Sequence, residues 1–352
     1  MSLLVHTPTL HMEIEQWPLA KPFRITGKSF EVIEVLTVTL GKDGYVGRAE
    51  ASGIYYLGDS GASMARQLEQ VRARIEESVS RDLIQEILAP GGARNALDCA
   101  FWDLEAQLTS IPAWQTAGLQ SVRPLLTTYT CGADEPLKMA AQASAYVSAR
   151  AIKLKLLGEP MDAERVLAVR EARPDVWLGV DANQGFTRQS LESLISALVQ
   201  ARVELIEQPF PIGREAWLDG LDSPIPIAAD ESVQRLTDMA TIAGRFDVVN
   251  IKLDKCGGLT EALAMARAAQ DLGLQAMVGN MMGTSLGMAP AWVVGQLCSI
   301  VDLDGPIFLK ADRPETMQFS EGYTVCPADL WGGFARRSAA FHALSRTSPQ
   351  AG

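Results

Sequence analysis

The period of the hydrophobic positions changes along the chain, and the change divides it. Early on, alternating runs over Met12–Trp17 and Val32–Leu40 read as strands around a polar turn, Lys21–Lys28. A third strand, Gly44–Glu50, follows a Lys-Asp-Gly turn. Helical spacing then takes over in Ser63–Val79 and Ala93–Thr109, where Ala96, Ala100, Leu104 and Leu108 fall on one face. From Leu126 onward, short apolar runs alternate with amphipathic helices. The predicted strands are Leu126–Cys131, Ala151–Leu156, Trp177–Asp181, Val203–Glu207, Ile225–Ala229, Val248–Lys252, Gln275–Val278 and Ile300–Leu303, with helices such as Asp162–Glu171, Arg188–Ala201 and Thr260–Leu272 between them. Eight strands with interleaved helices specify an α/β chain built on a parallel barrel. The division is then an α+β domain over residues 1–122, a barrel over 123–310, and a last segment, 311–352, that lacks the strand–helix rhythm and returns to the first domain.

Length agrees, since 352 residues exceed one small core and suit a barrel with a smaller partner. The net charge of −11 leaves no basic surface, so no nucleic-acid partner is expected. No run approaches the roughly 20 apolar residues of a membrane span, so no membrane partner is expected either. The first 23 residues lack a basic segment followed by an apolar run. The five cysteines (Cys99, Cys131, Cys256, Cys298 and Cys326) are odd in number and scattered, which reads as reduced thiols of a cytoplasmic protein. Histidine is more decisive: His6, His11 and His342 all lie near the chain ends. Neither a zinc site of clustered imidazoles nor a Ser-His-Asp triad can be assembled between them. Chemistry in the middle must use Lys, Asp, Glu, Tyr or an oxygen-held metal.

In such barrels chemistry sits where strands end. The strand ends carry Lys155, Asp181, Glu207, Asp230, Lys252, Asn280 and Asp302, 22 to 28 residues apart, or about one βα unit each. Asp181, Glu207 and Asp230 come from adjacent strands without histidine or cysteine nearby, a donor set that favours Mg²⁺ above Mn²⁺. One strand-end acid is as readily a helix cap or a lysine partner; three in the same rim position are not. In Ile152-Lys-Leu-Lys-Leu156, Lys153 and Lys155 point inward, and Asn250, Lys252 and Asp254 share an inward face on the sixth strand. Lys155 and Lys252 are four strands apart in a ring of eight, so they face each other with the three acids between. Salt bridges to those acids would be one use for them. The other is proton transfer: a metal stabilises an enediolate at a substrate carboxylate while one amine takes a proton from one face and the other returns it on the opposite face.

Lys153-Leu-Lys155, Asp181-Ala-Asn183, Glu207-Gln-Pro209, Ala229-Asp-Glu231 and Asn250-Ile-Lys252, in that order, resemble the muconate-lactonizing subgroup of the enolase superfamily. The resemblance spans nearly the whole chain. It implies a (β/α)₇β barrel under an N-terminal α+β capping domain, with Lys155 and Lys252 as acid/base catalysts. It also implies one Mg²⁺ per subunit on Asp181, Glu207 and Asp230, supported by Asn183 and Glu231, with Lys153 binding the substrate. Within the subgroup, Gly92–Asp103, Val249–Leu263 and Asp302-Leu-Asp-Gly-Pro306 are most similar to dipeptide epimerases. That similarity implies inversion of the C-terminal residue of a small dipeptide such as L-Ala-L-Glu, with Asp302 and Asp304 on its ammonium group. Capping loops matching Pro22–Ser29 and Ala51–Gly61 would cover the site, with Arg24 or Lys28 pairing with a substrate glutamate. A homo-oligomer is also expected, although no residue pattern specifies one. The competing readings are o-succinylbenzoate synthase, muconate cycloisomerase and N-acyl amino acid racemase. None of these has use for an ammonium-binding acid pair.

Overall fold

A computed structural model describes residues 7–333. The first three strands, β1 (Thr9–Ile25), β2 (Lys28–Lys42) and β3 (Tyr45–Ala51), form an antiparallel meander. One face of it, with Leu36, Val38, Leu40, Ala49 and Ala51, is buried with residues of α1 (Gly61–Glu77) and α3 (Gly92–Thr109). Gly47 permits this packing, because a Cβ there would lie 2.2 Å from the Ala100 carbonyl. A short helix, α2 (Arg81–Ile87), lies between the other two and was not anticipated.

The polar segment Lys21–Lys28 is not a turn as expected. It is mostly strand, with only Thr26 and Gly27 turning, and the pairing shifts register between Pro18 and Phe23. The reason is tertiary. Leu19, Phe23 and Ile25 find apolar partners in Ile33, Val35 and Leu309, so the hairpin gains by extending over the barrel.

After β4 (Leu125–Leu126) come eight parallel strands: β5 (Thr128–Cys131), β6 (Ala151–Lys155), β7 (Trp177–Asp181), β8 (Leu205–Glu207), β9 (Ile227–Ala229), β10 (Val248–Ile251), β11 (Gln275–Val278) and β12 (Ile300–Val301). Their spatial order is their chain order. Side chains close the ring between its ends: Thr128 donates to Asp302 at 2.5 Å, and Thr127 accepts from the Leu303 amide at 2.9 Å. The predicted strand Leu126–Cys131 is broken at Thr127, because β4 leaves to pair with β14 (Tyr323–Val325), itself paired with β13 (Gln318–Ser320). The helical layer is thin after β8 and β9, where single turns such as Glu215–Leu218 replace full helices.

Past the barrel, Gly332 donates to Asp103 at 2.7 Å and Gly333 accepts from Gln107 at 2.7 Å, which ties the end of the described chain to α3. Residues 334–352 of the predicted returning segment, with His342, lie outside the described residues, as does His6. The five cysteines are free thiols. Among the described residues no helix is long and apolar enough to cross a membrane.

Candidate active site at the barrel mouth

Alternation along each barrel strand places every second side chain inside. Register then aligns the rim, with Lys155 opposite Asp181 and Asp181 opposite Glu207. Asp181, Glu207 and Asp230 are 0%, 0% and 1% exposed. Carboxylates so buried need partners. Lys155 donates to Asp181 at 2.5 Å, and Lys252 to Asp230 at 2.6 Å. Lys153 reaches Asp302 at 2.5 Å and Glu207 at 3.0 Å. Asn250 donates to the other Glu207 oxygen at 2.7 Å. The two opposed lysines are thus salt-bridged to the rim acids, and both line one cavity with Asn183, Asp230 and Glu231.

Electrostatics follow from this crowding. Burial pulls the Lys153 and Lys252 ammonium groups down, but the carboxylates beside them outweigh it and hold both above the ordinary lysine value. Asp230 is held low by Lys252 and Lys255 in spite of burial. Burial raises Glu207, as does the nearby Asp181. Glu231 is pushed up to about 8, first by burial and then by Asp230 and Asp181.

The donor set fits a hard cation: three buried carboxylates on successive strands, all oxygen. Three further buried oxygens there, Glu231 Oε2, Asn183 Oδ1 and Asn250 Oδ1, have no hydrogen-bond partner. The ammonium groups fill the space between the acids, so among the described residues no three acidic, histidine or cysteine side chains are already arranged to hold a metal.

At the closing strand, Asp302 is neutralised by Lys153 and accepts a hydrogen bond from the Thr128 hydroxyl. Asp304 accepts from the Thr130 amide at 2.7 Å and lies 3.5 Å from the Asn280 amide nitrogen. Burial, and then Asp302, push Asp304 up to about 7.

The cap supplies the roof. Phe23, Ile25 and Phe30 from the hairpin, and Tyr55 and Tyr56 from the segment after β3, complete the cavity of about 70 Å³. Pairing separates the two candidate cations. Lys28 is opposite Ile25 and so shares the pocket face, with its ammonium 3.8 Å from the Tyr55 ring centroid. Arg24 alternates with Phe23 and Ile25, is exposed, and faces the other way.

Two contributors were not foreseen. Lys255 is buried and donates to both the carboxylate and the carbonyl of Asp230 and to the Asn250 carbonyl. Gln208 accepts from the Asp230 amide at 2.9 Å. Lys255 sits one turn after Lys252 in a short helix, where the strand period that exposed the other residues has ended.

Comparison with known proteins follows the same division of the chain. Residues 8–118 match the mandelate racemase / muconate lactonizing enzyme N-terminal domain, and residues 138–325 match the enolase C-terminal domain-like model. The L-Ala-D/L-Glu epimerase of Escherichia coli (strain K12) is 38% identical, covering 88% of this chain and 96% of that one. The N-acetyl-D-glutamate racemase of a Pseudoalteromonas species is 40% identical over 70% of this chain and 78% of its own. An enolase family member from Agrobacterium tumefaciens with homology to dipeptide epimerases, solved with sodium and L-Ala-L-Glu, superposes with a TM-score of 0.89 at 36% identity, covering 92% of this chain and all of that one (100%). The Methylococcus capsulatus dipeptide epimerase complexed with Mg and L-Arg-D-Lys gives 0.84 at 29% identity, covering 91% and 97%.

Proposed function

The chain belongs to the mandelate racemase / muconate lactonizing enzyme family of the enolase superfamily, and on that premise we propose that it is a dipeptide epimerase, an isomerase that inverts the α-carbon of the substrate's C-terminal residue. The observation that carries this reading is the placement of Lys155 and Lys252 on one cavity with the rim acids between them. Mg²⁺ on Asp181, Glu207 and Asp230, with Mn²⁺ a weaker substitute, would supply the charge that stabilises an enediolate at the substrate carboxylate.

The chain's own residues do the rest. Asp230 and Glu207 keep Lys252 protonated here; once their charge is shared, burial and the Lys153 ammonium favour the neutral amine that a base must be. One lysine removes the α-proton and the other delivers a proton to the opposite face. Asp304, the less neutralised acid of the pair, receives the substrate ammonium with Asp302 behind it, and that charge favours its ionised form. Lys28, on the pocket face of the hairpin, reads a side-chain carboxylate, which favours L-Ala-L-Glu and L-Ala-D-Glu, peptides of cytoplasmic murein turnover. At about 70 Å³ the cavity is far below the 300–1,000 Å³ of typical ligand sites, so the hairpin tip or the Tyr55 segment moves to admit substrate.

N-acyl amino acid racemisation is the second reading, favoured by the identity to the Pseudoalteromonas racemase. A panel of dipeptides and N-acetyl amino acids in D₂O with Mg²⁺, followed by NMR, separates the two. The expected result is α-deuteration and both epimers from L-Ala-L-Glu. Exchange confined to N-acetyl-glutamate, or absent from every dipeptide, overturns the proposal.

A further inference from the structure

The loop after β11 carries Asn280, which donates to the Asp302 carbonyl at 2.6 Å and approaches Asp304. Inside the loop the Met282 amide donates to the Asn280 side chain at 2.7 Å, and further anchors come from outside it. Met282 has a left-handed backbone, φ 62°, a conformation that costs a non-glycine residue energy unless its surroundings impose it. The cap grips it at two points. Ser52 donates to the Met282 carbonyl, and Glu50 accepts from the Thr284 amide at 2.7 Å and the Thr284 hydroxyl at 2.6 Å. Thr284 in turn caps the helix Ser285–Gly295.

Glu50 is 2% exposed, and burial raises its carboxyl pKa against the pull of Arg313. Arg313, from the segment beyond the barrel, donates to Glu50 at 2.5 Å and to the Thr284 hydroxyl at 2.7 Å. The same guanidinium reaches Glu15 of β1 at 2.8 Å and Thr37 of β2 at 3.0 Å. One planar fork therefore joins three cap strands to the capping residue of a helix whose preceding loop borders the acid pair. A lysine, with a single nitrogen, cannot make these bonds at once.

We propose that Arg313, acting through Glu50, is a positioning residue for the substrate's amino end: it holds the 280–284 loop so that Asn280 presents Asp304 to the ammonium group. The proposal rests on the dipeptide reading above. The ammonium is remote from the reacting carbon, so loss of the clamp weakens binding in ground and transition states alike and appears in KM.

The test compares R313K and R313M with the wild type, measuring kcat and KM on L-Ala-L-Glu alongside thermal unfolding. R313K keeps Glu50 neutralised and stays folded; its KM should rise three- to tenfold with kcat within twofold. R313M, which leaves Glu50 unpaired, should show the larger KM rise. An unchanged KM in R313K, or a kcat that falls in proportion to any loss of folded protein while KM holds, overturns the proposal even if R313M does not fold. A wild type inert on every dipeptide would instead overturn the epimerase reading.

Discussion

The same barrel strands carry opposite chemistry at their two ends. Low in the barrel, inward positions are Leu205, Ala228, Val248 and Met277, packed with Trp177 and Ile300. Two residues further along β8, β9 and β10 the inward positions become Glu207, Asp230 and Asn250, and at the ends of β6 and β7 they are Lys155 and Asp181. Gly179 shows the transition: a Cβ there would meet the Trp177 ring at 2.7 Å, so the floor's indole rises to just below the acid. The floor is apolar and self-sufficient. The mouth holds buried charges that neutralise one another only in part, leaving Glu231 and Asp304 raised and three oxygens unpaired. Such an arrangement costs stability, which argues that the mouth is shaped for a ligand and the floor for the fold.

The largest effect should come from the mouth. Chelating the divalent ion should slow α-proton exchange by on the order of 10³-fold or more, with recovery on adding Mg²⁺, because the metal term is several kcal/mol of the barrier. Activity indifferent to chelator would erase the distinction. At the floor, Leu205→Ala should cost about 2–5 kcal/mol in denaturant unfolding while kcat stays within about threefold. A collapse of kcat in the folded variant would show that the two ends are not separable.

The seam between cap and barrel sharpens the contrast in a third way. Burial raises the Asp98 carboxyl to about 6, although Thr260 donates to it twice. A raised carboxyl contributes stability below about pH 4, and this is lost as pH climbs through 6. Between pH 5 and 7 the wild type should lose about 1 kcal/mol from this group, and Asp98→Asn should flatten that part of the urea-unfolding profile. Smallest of all, Lys28→Ala should raise KM for glutamate-terminated dipeptides about threefold, as suits an exposed cation, and Arg24→Ala should leave it unchanged.

Both ends of the strands were legible in the sequence for a single reason, the period of two. Trp177–Asp181 and Gln275–Val278 match the structure to the residue, and the rim acids follow from strand length. What escaped lacks a period. Lys255 projects from a helical turn, and the Arg313–Glu50 contact joins residues 263 apart in different units. The choice between Lys28 and Arg24 needed the face of a strand where the polar composition suggested a turn. Closure of the barrel likewise uses threonine side chains at its seam, which no pattern announces.

Two amines on opposite sides of one carbon should be separable by isotope. In D₂O with Mg²⁺, Lys155→Ala and Lys252→Ala should each exchange the α-proton of one epimer, L-Ala-L-Glu or L-Ala-D-Glu, the opposite one for each variant, with no interconversion. Either variant still converting one epimer into the other would contradict the assignment of these lysines.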